Sequence, residues 1–353
     1  MQGWDHQAGR IDEPAAAADR VTLPADLGRR FLVFVDTEEE FDWTAPRRRD
    51  AVATSAVAAL PEAHDRLVGL GIKPIYLVDH PVAASARAVE CLRPLLDAGG
   101  CEVGAQLHPW VNPPFEEPLT VANSFVGNLP EALERAKLSA LTQRIEDGFG
   151  RRPIVYRAGR YGVGPNSARL LEEAGYRLDS SVRALFDYSG EGGPDFSRRP
   201  LEPSWAGPAR LLIELPLSAT FTGFARRSGA GLYGMAGRVP RLRGLLARAG
   251  VMSRVALTPE GTPLPDALAA IDVLVREDVR LLSISFHSPS VEPGHTPYVR
   301  DAADLARFWA WWDGVLARLS RHGYRAIGAE ALVAAAWASR DVGLSLASRA
   351  APT

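Results

Sequence analysis

The stretch Phe31–Trp43, FLVFVDTEEEFDW, decides how the rest of the chain is interpreted. It opens with five apolar residues and then places five carboxylates within seven positions. A short apolar run of β-branched and aromatic residues is typical of a strand buried on both faces of a parallel sheet. Alternation along that strand puts Asp36 and Glu38 on one side, with Cα atoms roughly 6–7 Å apart. The stretch therefore predicts a strand that carries acids to the edge of a sheet, with a solvated acidic loop as the alternative.

The same arrangement recurs along the chain, because further apolar runs alternate with helical patterns. The predicted strands are 31–36, 72–78, 101–107, 153–156, 176–178, 211–217, 281–286 and 324–327. Strands that alternate with helices favour a parallel sheet, and seven or eight such units in one domain predict a (β/α) barrel. Polar residues directly follow five of these strands: Asp36 and Glu38, His108, Arg157 and Arg160, Asp179, and His287. In a barrel the carboxyl ends of the strands converge on one face, so we expect these side chains to share a site.

The predicted domain spans 29–338, between flexible tails at 1–28 and 339–353, with an inserted segment at 226–264. Residues 226–254 contain seven arginines and no acid. Apolar residues at helical spacing within this segment predict a basic amphipathic helix. Three interpretations stay open for it: an ordinary surface helix, a lid over an anionic substrate, or a contact with a membrane surface.

Composition and local sequence argue against several other classes of protein. The net charge of −2 gives no reason to expect nucleic-acid binding. Cys91 and Cys101 match no metal or redox spacing. The N-terminus lacks the basic and apolar regions of a signal peptide, and no apolar run reaches the roughly 18 residues of a membrane span. We therefore expect a cytoplasmic protein.

Taken in order, five motifs resemble those of a known family: VDTEEEFDW, EVGAQLHPW, YRAGRYG, DSSV and SFHSPS. They resemble the polysaccharide deacetylases, the NodB-homology domains of carbohydrate esterase family four, and more closely the WalW-type branch. The resemblance covers about residues 30–335. It implies a distorted (β/α) barrel that removes N- or O-acetyl groups from sugars with a divalent metal, commonly zinc, with cobalt, manganese or nickel as alternatives. In that chemistry a metal activates water, a carboxylate takes its proton, and a histidine protonates the leaving group.

The resemblance also implies roles for individual residues. Asp36 would be the general base, Arg157 its ion-pair partner and His287 the general acid, with Asp179 beside His287. The metal ligands would be Glu38, His108 and Asn112. The sugar site would be lined by Trp110, Tyr161 and Arg160.

One motif departs from the family pattern, which usually has two histidines four residues apart. Here Gln106 stands where the first histidine might stand, and Asn112 lies four residues beyond His108. Because a catalytic zinc normally has three protein ligands, the third must come from Gln106, Asn112 or a residue placed by folding, such as His80 or Asp79. An amide oxygen is a poorer zinc ligand than imidazole, so we expect a site of modest metal affinity.

Two functions follow from the resemblance. The first is a deacetylase that acts on an acetylated sugar or polysaccharide precursor. The second is a catalytically degenerate protein on the same barrel, which binds a glycan or a partner in polysaccharide biosynthesis. A glycosidase is a weaker alternative, because no second strand end offers a clear glutamate.

Overall fold

The computed structural model describes residues 9–239 and 241–350, with side chains described up to residue 341 except at 230. Its centre is a nine-stranded sheet in the order β10-β1-β2-β3-β4-β5-β7-β6, with β11 also paired to β1. The strands are β1 (Arg29–Thr37), β2 (Ile75–Val78), β3 (Glu102–Leu107), β4 (Val155–Ala158), β5 (Leu178–Asp179), β6 (Ser204–Ala206), β7 (Leu212–Glu214), β8 (Ala219–Thr222), β9 (Ser253–Ala256), β10 (Leu281–His287) and β11 (Tyr324–Ala326). All neighbours in the sheet are parallel except β6 and β7, and β8 pairs with β9 in a separate antiparallel ribbon.

Helices connect most of the parallel strands and cover the outside of the sheet. They are α1 (Leu60–Gly69), α2 (His80–Ala84), α3 (Ala86–Asp97), α4 (Glu131–Phe149), α5 (Ser167–Glu173), α6 (Gly229–Gly237), α7 (Leu242–Arg248), α8 (Leu264–Arg276), α9 (Ala302–Arg321) and α10 (Ala329–Ala350). The apolar stripe of α9 packs against β10, where the ring centroids of Phe308 and Trp312 lie 5.3 and 5.7 Å from that of Phe286. Among the described residues, no helix is long and apolar enough to cross a membrane.

Strand β1 has partners on both sides, β10 and β2, and both of its faces are apolar. Residues 31–35 are at most 4% exposed. The parallel register with β10 pairs Asp36 with His287, and the register with β2 pairs Thr37 with Val78. The acids that follow β1 therefore emerge beside the ends of its two neighbours.

The sheet curls until its two ends approach each other. After β7, the backbone amide of Leu217 donates to the carbonyl of Val182, at 2.8 Å, on the β5 side. The next amide, of Ser218, donates to the carbonyl of Ser283 in β10, at 3.3 Å. This segment bridges the opening of a half-barrel, so the predicted fold class, a distorted barrel of parallel strands, is confirmed.

The regions outside the barrel differ from the sequence expectation. In the predicted N-terminal tail, Ile11 is fully buried and Arg20 forms an antiparallel bridge with Ser204, while residues 1–8 lie outside the described part. At the other end, α10 continues to Ala350, across most of the predicted flexible tail at 339–353. In the basic segment, the apolar spacing from Val239 to Met252 coincides with one helix, α7, which is shorter than that spacing. A second helix, α6, precedes it, and Arg241 at the start of α7 has a left-handed φ of 65°.

Candidate active site

A cavity of about 210 Å³ opens at the carboxyl ends of the parallel strands. Eight of the ten predicted site residues line it: Asp36, Glu38, His108, Trp110, Arg157, Arg160, Tyr161 and His287. They come from the ends of β1, β3, β4 and β10 and from the loops that follow. Asp179 and Asn112 are not among the described residues that line it.

Asp36 is held by a buried arginine from β4. The Arg157 guanidinium donates through one terminal nitrogen to Asp36 Oδ1, and its Nε donates to the backbone carbonyl of Ser180 at 2.9 Å. Both side chains of the ion pair are at most 2% exposed. Charge-assisted pairing of this kind fixes the position and orientation of the carboxylate. The second oxygen, Oδ2, lies 3.8 Å from His287 Nε2.

His287 is oriented by Glu260, a residue that was not predicted from the sequence. His287 Nδ1 lies 2.6 Å from Glu260 Oε2, and Glu260 Oε1 accepts from Ser290 Oγ at 2.5 Å. Burial lowers the pKa of His287, but the charges of Glu260, Glu38 and Asp36 outweigh it and raise the pKa to about 10. The imidazole is therefore protonated at neutral pH.

Asp179 does not lie beside His287, so that predicted contact is wrong. Its carboxylate accepts from the amide and the hydroxyl of Ser181, at 3.0 and 2.6 Å. Burial raises the pKa of Asp179 to about 6, while the hydrogen bonds from Ser181 lower it. This turn presents Ser180, whose carbonyl accepts from Arg157, so the DSSV motif supports the arginine instead of the histidine.

His108 is held on its Nδ1 side by a buried acidic network. Nδ1 lies 2.7 Å from Glu39 Oε2, and Glu39 Oε1 accepts from the indole N–H of Trp110 at 2.7 Å. The backbone amide of Glu39 donates to Asp79 Oδ2, also at 2.7 Å. The possible ligand atoms of Glu39, Asp79 and His108 lie within 4.8 Å of one another, so this group could hold a metal ion.

The buried network shifts several pKa values. Burial raises the pKa of Glu39 to about 7, although hydrogen bonds from Asp79 and Trp110 lower it. Burial also raises the pKa of Asp79 well above its ordinary value, and the charge of Glu39 adds to the effect. For His108 burial lowers the pKa to about 4, so its imidazole is neutral.

The Nε2 side of His108 faces a second group, which we call the Glu38 cluster: Glu38, Gln106 and His108. Glu38 Oε2 lies 3.5 Å from both His108 Nε2 and Gln106 Nε2. Glu38 and Gln106 are each 3% exposed, yet Glu38 Oε1 and Gln106 Oε1 have no hydrogen-bond partner among the described residues. Burial raises the pKa of Glu38 well above its ordinary value, although the charge of His287 lowers it. Two buried oxygens of the Glu38 cluster thus have no partner in the part of the chain that the structure describes.

Asn112, which was predicted as a metal ligand, is not among the described residues that line the cavity, and its amide nitrogen is bonded within the loop after β3. Its amide nitrogen donates to the carbonyls of Pro113 and Lys137, at 2.7 and 2.9 Å. The ammonium of Lys137 in turn donates to the carbonyls of Pro109, Asn112 and Pro114. Asn112 therefore stabilises the loop after β3, and the position that its spacing suggested belongs to the loop, not the cavity.

Aromatic and basic side chains also line the cavity. Trp110 stacks on His108 with ring centroids 4.4 Å apart, and Trp43 meets His287 edge-on at 4.8 Å. Arg160 and Tyr161 both adopt positive φ, 54° and 62°. Such conformations cost of order 1–3 kcal/mol in residues other than glycine and cluster at functional sites. The sequence did not single out four further lining residues: Trp43, Arg183, Tyr188 and Tyr298.

Comparison with known proteins finds no matching family model and no matching curated protein. Among solved structures, a protein from Mycobacterium smegmatis assigned as a polysaccharide deacetylase is 18% identical, with a TM-score of 0.49, over 93% of this chain and 96% of that chain. A mutant of a CE4 family pseudoenzyme with restored enzymatic activity is 10% identical, with a TM-score of 0.44, over 87% and 68%. The 4-alpha-glucanotransferase from Thermococcus litoralis is 9% identical, with a TM-score of 0.51, over 87% and 40%. The structural neighbours thus include polysaccharide deacetylases at low sequence identity, and the likeness concerns the fold alone.

Proposed function

We propose that the protein is a metal-dependent hydrolase that removes an acyl group, most simply acetyl, from a sugar or a polysaccharide precursor. The observation that carries the proposal is that Glu38 Oε1 and Gln106 Oε1 are both buried and have no hydrogen-bond partner among the described residues, in a cluster where Glu38 Oε2 lies 3.5 Å from His108 Nε2. Leaving such an atom without a partner costs about 1–3 kcal/mol. A native protein that maintains two of them at a cavity wall is expected to satisfy them with a ligand.

The Glu38 cluster would hold the metal, and the acidic network behind it would orient His108. Glu39 and Asp79 are not among the described residues that line the cavity, and the 2.7 Å contact to His108 Nδ1 is a hydrogen bond. A ligating histidine commonly donates its other N–H to a carboxylate, which fixes the tautomer. A divalent metal held there, zinc or alternatively cobalt, manganese or nickel, would supply Lewis-acid activation of water and of the acyl carbonyl.

The chain's own residues would perform the proton transfers. Asp36 would take a proton from the attacking water, and Arg157 keeps its carboxylate in place. His287 would donate its Nε2 proton to the leaving nitrogen or oxygen, while Glu260 holds Nδ1 at 2.6 Å. The two groups work from adjacent strands, since Asp36 and His287 are register partners. Trp43 covers one side of the His287 ring and would limit access of bulk water.

The aromatic wall supports a sugar as the substrate. The indole of Trp110 and the phenol ring of Tyr161 line the cavity beside Arg160. The cavity volume of about 210 Å³ is below the roughly 300–1,000 Å³ usual for drug-sized ligands, so it suits a single small unit of a larger molecule.

A second candidate function is glycan binding without catalysis. The specific observation in its favour is Gln106, because an amide oxygen is a weaker ligand for zinc than imidazole. A site that lost its metal would keep the same aromatic wall. The two functions therefore differ in metal affinity and in turnover, not in sugar binding.

The experiment is to purify the protein without added metal, titrate zinc, cobalt and manganese, and measure acetate release from a panel of acetylated sugars. Glu38→Ala and His108→Ala should each weaken metal binding, whereas Gln106→His should strengthen it. Glu134→Gln serves as the control, because Glu134 is buried and is not among the described cavity-lining residues. Equal metal affinity in all variants would refute the ligand assignment. Sugar binding without metal binding or acetate release would favour the second function.

A further inference from the structure

The segment Phe224–Arg254, which we call the insert, has a charge pattern unlike the rest of the chain. It contains seven arginines and no acidic residue, whereas the whole chain has a net charge of −2. Arg241, Arg243 and Arg248 are exposed. The insert is therefore a strongly cationic surface on a protein that is close to neutral.

The same segment exposes large apolar side chains. Phe224 is 77% exposed, Met235 66%, Leu245 58% and Val239 52%. Among the other described large apolar residues, Val121, at 59%, is the one as exposed as these. Large exposed apolar side chains that alternate with basic ones along one segment are typical of an interaction site. The insert therefore presents exposed arginines and exposed large apolar side chains in one segment.

The insert is attached to the rim of the cavity without lining it. None of its described residues lines the cavity, so the structure gives no support to a lid. Instead, the guanidinium of Arg254 lies 4.9 Å from the ring of Tyr233 in α6 and 3.5 Å from the ring of Phe186. The Phe186 ring stacks at 6.4 Å on Tyr188, which does line the cavity. This chain of contacts connects α6 to the cavity wall.

We propose that the insert docks the protein on a bilayer surface that contains anionic phospholipids. Surface-bound helices combine apolar side chains, which enter the headgroup region, with arginines that pair with anionic lipid. An anionic membrane surface attracts each basic residue near it by about 1 kcal/mol, and the insert has no acid to oppose that attraction. Docking there would hold the cavity rim close to the membrane. The proposal stands independently of the chemistry in the cavity.

The test uses the full chain and vesicles of phosphatidylcholine with or without phosphatidylglycerol, in a sedimentation assay. The protein should bind the phosphatidylglycerol vesicles at low salt and lose most of that binding at high salt, because salt screens exposed charges. The triple variant Arg241→Gln, Arg243→Gln, Arg248→Gln should bind about tenfold more weakly or worse. The triple variant Phe224→Ser, Met235→Ser, Leu245→Ser should lose binding to a similar extent.

Matched controls change the same residue types elsewhere on the surface. The arginine control is Arg87→Gln, Arg276→Gln, Arg321→Gln, and the apolar control is Val68→Ser, Leu70→Ser. Both should bind vesicles like the unaltered protein, and circular dichroism should show that every variant is folded. Absence of binding by the unaltered protein, or equal losses in the controls, would overturn the proposal. A third outcome would also overturn it: only the arginine variant loses vesicle binding, and the unaltered protein binds soluble polyphosphate as well as it binds vesicles. That pattern is expected of a general polyanion-binding site.

Discussion

Two cavity-lining histidines, His108 and His287, each form a pair with a carboxylate, and the two pairs share one geometry but differ in protonation. His108 Nδ1 lies 2.7 Å from Glu39, and His287 Nδ1 lies 2.6 Å from Glu260. The His108 side chain is 3% exposed and its pKa is lowered to about 4, whereas the His287 side chain is 21% exposed and its pKa is raised to about 10. A carboxylate partner therefore does not decide the charge of a histidine.

The surroundings of each pair explain the difference. Burial is the largest influence on His108, and the pKa of its partner Glu39 is itself raised to about 7 by burial. For His287 burial also lowers the pKa, but the charges of Glu260, Glu38 and Asp36 together exceed it. A neutral imidazole suits a metal ligand and a protonated one suits a general acid, so one motif provides two functions in one cavity.

The largest effect on activity should come from removing His287, the protonated histidine of the two. His287→Ala should lower kcat for acyl release by roughly 10²–10⁴-fold, the usual contribution of a general acid. Zinc affinity, measured by isothermal titration calorimetry, should change far less than kcat, because His287 is outside the Glu38 cluster and acts on Glu38 through its charge alone. A parallel loss of zinc affinity and kcat would mean that the two histidines do not have separate roles.

Neutralising the carboxylate partner of each histidine, Glu39 or Glu260, should separate the roles of the two pairs. Glu39→Gln should weaken zinc binding by about 10–100-fold, since it removes the group that orients a ligating histidine. Glu260→Gln is the matched substitution at the other pair and should leave zinc affinity unchanged. The two titrations are made under identical buffer conditions, and equal affinities would contradict the proposed role of Glu39.

Glu260→Gln should have its own effect on the pH dependence of acyl release. The charge of Glu260 is a cause of the raised pKa of His287, so its removal lowers that pKa. The general acid would then lose its proton at a lower pH, and the alkaline limb of kcat should move down by about one to three pH units. Profiles of kcat against pH for both proteins measure this, and an unmoved alkaline limb would exclude His287 as the acid.

The sequence predicted the barrel well because its strands are short apolar runs with clear ends. The central strand was expected at 31–36 and spans Arg29–Thr37. The insert was predicted less well, since the apolar spacing from Val239 to Met252 suggested a helix longer than α7 and gave no sign of α6. Gly237 and Pro240 in the sequence disfavour a helix that continues from α6 into α7.

The predictable part of the site consists of residues directly at strand ends. Asp36, His108 and His287 needed only strand positions and parallel pairing to be brought together. Glu260 could not be found in this way, because it lies 27 residues before His287 and follows β9, a strand that the sequence did not suggest. Glu39 was not predicted as a site residue. Only the structure shows that Glu39 lies on the Nδ1 side of His108 and Glu38 on the Nε2 side.

A third buried carboxylate, Glu134 in α4, extends the comparison to an acid whose described hydrogen-bond partner is a serine, Ser167, and not a histidine. Glu134 is 3% exposed, and burial raises its pKa to about 7, although the hydrogen bond from Ser167 Oγ lowers it. An acid whose pKa is higher in the folded than in the unfolded state keeps its proton on folding. Between the ordinary value of 4.5 and about 7, the folded state therefore binds more protons, and the free energy of unfolding falls as the pH rises.

Glu134→Gln should abolish this decrease in the free energy of unfolding with rising pH, because glutamine stays neutral. Its side-chain oxygen can still accept from Ser167. Urea unfolding at pH 8 should show the variant to be more stable than the unaltered protein by about 1–3 kcal/mol. Near pH 4.5 the difference should be close to zero, since both side chains are then neutral in the folded state. A stability difference that is the same at both pH values would show that Glu134 ionises normally, and that burial alone does not raise a carboxyl pKa at this place in the fold.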